Sequence, residues 1–285
     1  MITETRGLSV AAVLAAALIW SSSFAVTKVA LAEVPPLTLG ALRFVLAALV
    51  LGVAARRFPR PSVRQRRSIG FAGLLGITAY FALENAGVDL ATASDATLIV
   101  AAYPIITLVL SGRTAFSPVR LTGMLVAVSG VWLVVRDQPG GHHLWGDLLL
   151  VAGGFAWAAF NVVARRDDSG ASPIVVTYYQ TLAGAGGFVL LSLTEASRWS
   201  VPSGGTWLRI AFLAGFCSVA AFLLYNHGLR GLEPSVAVNL LNVVPVAGLG
   251  WAVLLAGESL TWSQLVGGAV VLAGVSLGSL RRRTS

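Results

Sequence analysis

FALENAGVDLATAS, residues Phe81–Ser94, returns 141 positions later as FLLYNHGLRGLEPS, residues Phe222–Ser235. The two stretches set Asn85 over Asn226 and Gly87 over Gly228, and the same offset carries Pro104 onto Pro245. Nearer the N-terminus, PPLTLGALR (Pro35–Arg43) lies over SPIVVTYYQ (Ser172–Gln180) at an offset of 137, which also brings Trp20 onto Trp157 and Arg43 onto Gln180. Two nearly constant offsets across most of the chain indicate an internal duplication, with residues 1–136 as the first repeat and 137–285 as the second.

Composition states what is duplicated. Apolar residues make up 56% of the chain and charged residues 11%, against about a quarter charged in soluble domains. Mean hydropathy is +0.81. The 31 glycines and 11 prolines fit membrane helices, which tolerate both. The single cysteine, Cys217, provides neither an intramolecular disulfide nor a metal cluster. The net charge of +8 is distributed between apolar runs, not along an amphipathic face, so no nucleic-acid partner is expected. Arg6, the apolar run after it and Ala30-Leu31-Ala32 imitate a cleavable signal peptide. The counterpart of this run in the second half reads it as a retained span.

Runs long enough to cross about 30 Å of hydrocarbon predict an all-α membrane protein of ten transmembrane helices. They lie near 8–32, 36–54, 69–87, 91–110, 119–135, 147–164, 173–193, 207–227, 234–256 and 262–280. With both termini cytoplasmic, the inner side receives Arg6, the cluster Arg56, Arg57, Arg60, Arg64, Arg66 and Arg67, then Arg113, Arg120, Arg165, Arg166, Arg230 and the tail Arg281–Arg283. Only Arg136, Arg198 and Arg209 fall outside, while Lys28 and Arg43 stay within spans. Five spans per repeat force the second copy to enter the membrane from the opposite face, giving two inverted repeats, the arrangement that supports alternating access.

The runs ALIWSSSFAVTK and PPLTLGALRF, the Pro104 helix after YFALENAGVDLATAS, and their second-half counterparts resemble the EamA family of the drug/metabolite transporter superfamily. The resemblance covers nearly the whole chain. It implies ten helices around a central cavity lined by the first four helices of each repeat, the fifth being peripheral. It also implies an inner-membrane exporter of amino acids or related metabolites, and the chain is most similar to the YddG-type aromatic amino-acid exporters. A carrier for cationic drugs and a membrane scaffold or lipid-handling protein are the other readings.

Candidate binding residues follow from depth and face. Trp20, Phe24 and Lys28 recur every four residues on one helix face, which is expected to line the cavity. Lys28 serves the cavity or snorkels to the outer interface. Arg43 neutralises Glu84 or holds a substrate carboxylate, and the structural reading is preferred because its repeat partner Gln180 is neutral. Glu84 carries a proton or, the preferred reading, pairs with Arg43 or Lys28. Trp157 and Asn161 mirror the first face, and Tyr80, Tyr103, Tyr178 and Tyr225 add aromatic surface suited to an amphipathic cargo. Asn239 and Asn242 are candidate hydrogen-bonding groups, while Trp145, Trp199, Trp207 and Trp262 read as interface belts. Pro104 and Pro245, at matching points, are candidate hinges or static bends.

Gly274 and Gly278 form a GxxxG pair suited to close helix packing or dimerisation, so a monomer or weak homodimer in lipid is expected. HExxH, a phosphate-binding glycine loop and GxSxG are all missing, and His142-His143 alone make a weak metal site, so neither catalysis, cofactor nor metal is expected. The expected partner is a small-molecule substrate.

Overall fold

The computed structural model describes residues 2–103, 105–106, 118–136, 141–164, 169–229, 232, 240–241 and 243–279. Pro104, Asn239 and Asn242 lie outside the described residues, as do Arg113, Arg165, Arg166, Arg230 and Arg281–Arg283 of the basic loops. All regular elements among the described residues are helical. They are α1 (Ile2–Leu31), α2 (Pro36–Ala55), α3 (Val63–Gly73), α4 (Tyr80–Leu90), α5 (Ala93–Val100), α6 (Pro118–Arg136) and α7 (Gly141–Ala164). After these come α8 (Pro173–Ser192), α9 (Gly204–Phe212), α10 (Ala221–Leu229), α11 (Val243–Ala256) and α12 (Trp262–Ser279). Six continuous helical stretches are long and apolar enough to cross a membrane, and Leu121–Val135, Val243–Ala256 and Trp262–Leu277 are shorter apolar helices.

Two elements were not foreseen. The third expected span changes from α to π geometry over Leu74–Ala79 before continuing as α4, and the eighth does the same over Leu213–Ala220 before α10. At the 141-residue offset these segments overlap almost completely. A π-turn widens the helix and frees carbonyls from the ordinary ladder, and is often found at functional sites. Pro245 is the third residue of α11, in its first turn, where a proline's missing N–H removes no intrahelical bond. Leu240 is helical and Leu241 a turn, so Pro245 stands just after a break in the helical run.

Carboxylates from distant connections cap helix N-termini at one end of the bundle. Glu195 accepts from the amides of Leu37 (3.2 Å) and Thr38 (2.8 Å) and from the Thr38 hydroxyl (2.9 Å) at the start of α2. Glu258 likewise takes the amides of Ala93 (2.7 Å) and Ser94 (3.0 Å) and the Ser94 hydroxyl (2.6 Å) at α5. Glu33 accepts from the amide (2.7 Å) and hydroxyl (2.9 Å) of Ser203, which precedes α9. Each places negative charge where the helix dipole is positive and supplies acceptors to amides with no partner in their own helix.

The packing crosses between halves. α1 lies against α10 and α11 of the second half, and α7 against α4 and α5 of the first. α2 packs on α8, and α6 on α12. These helices approach through glycine. A Cβ on Gly274 would lie 2.4 Å from the Ala127 amide nitrogen, and one on Gly130 2.6 Å from that of Val271. Gly274 thus serves contact within the chain, the small-residue packing that membrane helices use in place of hydrophobic drive.

Candidate substrate cleft

At the crossing of the two halves, Phe44 of α2, Phe81 of α4, Trp157 and Phe160 of α7 and Phe222 of α10 wall a cleft. Its polar groups are Thr177, Gln180 and Thr181 of α8 and Ser218 of the second π segment. Several lining residues are repeat mates: Phe44 with Thr181 at the 137 offset, and Ile77 with Ser218 and Phe81 with Phe222 at the 141 offset. The cleft encloses about 20 Å³ of free space, enough for a water but far below the few hundred that a small-molecule ligand needs.

Arg43 does not itself line the cleft but packs against three residues that do, Phe44, Phe81 and Ser218, and is 2% exposed. Its Nε donates to Ser218 Oγ at 2.8 Å. The guanidinium lies over the rings of Phe81 and Phe44, 4.6 Å and 5.0 Å from their centroids, a geometry in which ring quadrupoles stabilise the cation. One terminal nitrogen, Nη1, is buried and has no hydrogen-bond partner. A buried cationic donor without a partner suits an acceptor brought by a ligand.

Glu84, 2% exposed, accepts a hydrogen bond from Tyr80 Oη one helical turn earlier. It forms no ion pair with Arg43 or Lys28, so the pair preferred from sequence is replaced by a local i,i+4 bond within α4. Lys28 Nζ instead donates to three carbonyls at the end of α4 and just beyond, Val88 (2.9 Å), Asp89 (3.0 Å) and Ala91 (2.7 Å). A cation at a helix C-terminus satisfies unpaired carbonyls and complements the dipole, so here Lys28 neither lines the cleft nor reaches the interface alone.

The remaining candidates divide. Trp157 lines the cleft and its ring centroid lies 5.1 Å from that of Tyr80. Trp20 packs on Phe222 (5.2 Å) and Tyr225 (5.3 Å), one layer behind the wall. Tyr103 is buried and donates to the Leu150 carbonyl at 2.5 Å. Phe24 belongs to the main hydrophobic core. The Asn161 amide is turned back to the Trp157 carbonyl, 2.9 Å away in its own helix. Tyr178 packs beside Gly52 and Tyr179, away from this layer. Sequence reasoning missed Ser218, Thr177, Thr181, Phe81 and Phe222 as cleft residues. The repeat held the needed signal, because the mates of Ile77, Gly40, Phe44 and Phe81 are those four polar and aromatic positions of the second half.

The EamA-like transporter family matches residues 7–136 and again 144–280. A probable amino-acid metabolite efflux pump of Escherichia coli (strain K12) is 28% identical over 90% of this chain and 90% of its own length. The uncharacterized transporter YyaM of Bacillus subtilis (strain 168) is 26% identical over 90% of this chain and 89% of its own. The uncharacterized inner membrane transporter YedA of Escherichia coli (strain K12) is 24% identical over 92% and 88%. A solved crystal structure shares the fold, with a TM-score of 0.66 and 21% identity across 94% of this chain and 95% of that one. The chain is a multi-pass membrane protein that belongs to the EamA-like transporter family.

Proposed function

We propose that the protein exports neutral and aromatic amino acids, or similar small amphipathic metabolites, across the inner membrane by alternating access between two inverted five-helix halves. The observation that carries this reading is the unmatched, buried Arg43 Nη1 beside an aromatic cleft whose opposing residues are repeat mates. A guanidinium suits a carboxylate and an aromatic wall suits an apolar side chain. The hydroxyls and amide of Thr177, Thr181, Ser218 and Gln180 suit an α-amino group without demanding a fixed negative charge. Efflux pumps for amino-acid metabolites among the relatives support the same class of cargo.

Cationic drugs fit less well, because the nearest interior acid, Glu84, is bonded to Tyr80 and the charge behind the wall is positive. Paired π segments and cross-half packing support two states of similar energy, in which mirrored halves exchange arrangements. Counterflow of labelled amino acids into proteoliposomes tests the proposal. Saturable uptake of tryptophan, phenylalanine or leucine is expected, and folded protein that moves no amino acid would overturn the assignment.

A further inference from the structure

We propose that Asp147 is a proton-binding site through which export is coupled to proton entry, an inference that rests on the transport reading above. Asp147 lies in the second turn of α7 and is 1% exposed. Both of its carboxylate oxygens are buried without a hydrogen-bond partner. The residue before it, Gly146, packs backbone to backbone on α4, where an added Cβ would lie 2.6 Å from the Ala91 amide nitrogen and 2.8 Å from the Gly87 carbonyl. An ionised carboxylate in such a place has neither water nor a donor to hold its charge, whereas a protonated one is neutral.

The surrounding groups select Asp147 as the carrier. Asp95 stands on α5, which packs against α7. Asp95 is equally buried but accepts from Gln264 Nε2 at 2.9 Å and Thr92 Oγ1 at 2.6 Å, so its charge is supported. Two neighbouring carboxylates resist ionising together, and here donors favour the charge on Asp95 and leave the proton to Asp147. Lys28 from α1 is occupied by the carbonyls at the end of α4, and Glu258 by the amides at the start of α5. On α4, Asp89 lies beside those carbonyls and Glu84 is held by Tyr80. α6 carries no titratable group among its described side chains, and the arginines of α3 start its helix at the opposite end of the bundle. His143, four residues before Asp147 on the same helix, has a buried Nδ1 without a partner and stands between Asp147 and the helix end. In each cycle Asp147 takes up one proton in the outward-facing state and releases it inside, opposite to the cargo.

Two readouts on reconstituted protein decide the matter. Infrared difference spectroscopy at neutral pH is expected to show the carbonyl stretch of a protonated carboxyl that disappears in Asp147→Asn and persists in Asp95→Asn. In proteoliposomes, an imposed proton gradient is expected to accelerate wild-type amino-acid uptake at least fivefold. Asp147→Asn should lose that response, and Asp147→Glu, which keeps a titratable group, should restore part of it. Absence of the band from folded wild-type protein overturns the proposal. So does wild-type uptake that ignores the proton gradient or follows a sodium gradient instead. If no amino acid moves at all, the cargo assignment fails and the infrared arm alone decides the proton site.

Discussion

The indole Nε1 of Trp20 donates to the carbonyl of Cys217 at 3.0 Å, joining α1 to the π segment Leu213–Ala220. Trp20 Cα and Cys217 are 197 residues apart in sequence, and the bond ties an aromatic neighbour of the cleft to a carbonyl one residue from Ser218. Trp20→Phe keeps most of the ring and leaves the carbonyl unmatched, so a stability loss of about 1–2 kcal/mol is expected by thermal or denaturant unfolding. Trp20→Ala and Trp157→Ala should each lower transport at least fivefold at equal expression. Trp262→Ala, at a position 82% exposed, should change it less than twofold. Equal losses at all three would contradict the placement of the cleft.

Arg43→Lys is not a mild change, because the flat guanidinium both stacks on Phe81 and bonds Ser218. Its KM for a carboxylate-bearing cargo should rise about tenfold or more, equivalent to roughly 1.4 kcal/mol of binding per decade. Ser218→Ala removes one partner of Arg43 and should raise KM by a smaller factor. Uptake kinetics of the two variants against wild type check the order.

Glu258→Ala and Glu195→Ala each release two amides and a hydroxyl at the start of a helix. Each should cost about 2 kcal/mol of stability, the scale of a lost charged cap. Glu258→Gln should recover part of this, since it keeps an acceptor but not the charge that favours the helix dipole.

At Gly274 and Gly130 the neighbouring backbone cannot retreat, so Gly274→Leu and Gly130→Leu should separate α6 from α12 and reduce the folded yield severely. Gly186→Ala and Gly250→Ala meet no atom within 4 Å and should fold normally, giving a paired control. Size-exclusion profiles of the four proteins in detergent provide the measurement.

Glu33 has its carboxyl held below the usual carboxylate range, first by the Ser203 amide and then by the hydroxyls of Ser203 and Thr206. A group whose folded pKa is depressed contributes stability that is fully present above the unfolded pKa and is lost as pH falls through the folded one. Glu33→Gln should therefore lower stability at neutral pH, where the carboxylate contributes, and leave it nearly unchanged at the acid end, so that the profile flattens. Thermal unfolding across an acid series reads this directly.

Sequence revealed the scaffold more fully than the site. The apolar runs and the proline starts of α2 and α8 are local signals; six long apolar helical stretches and the two proline starts stand among the described residues. Of the expected binding residues, Trp157 lines the cleft. The π segments were not legible, because hydrophobic periodicity does not report which carbonyl each amide selects. Glu84 was misassigned for a related reason. Its spacing from Tyr80 favoured a bond within the helix, whereas the expected pair with Arg43 depended on three-dimensional distance. Glu195 and Glu258 sit in connections far from the helices they cap, so nothing near α2 or α5 in sequence points to them.

The most direct test of the central claim compares tryptophan with tryptamine as competitors in counterflow of labelled tryptophan through purified protein. The two differ by the carboxylate that Arg43 is assigned to hold. Tryptophan should compete at least tenfold better in wild type, and Arg43→Gln should erase most of that preference. Equal competition in wild type, or a preference for the amine, would contradict an amino-acid cargo and favour a carrier of cations.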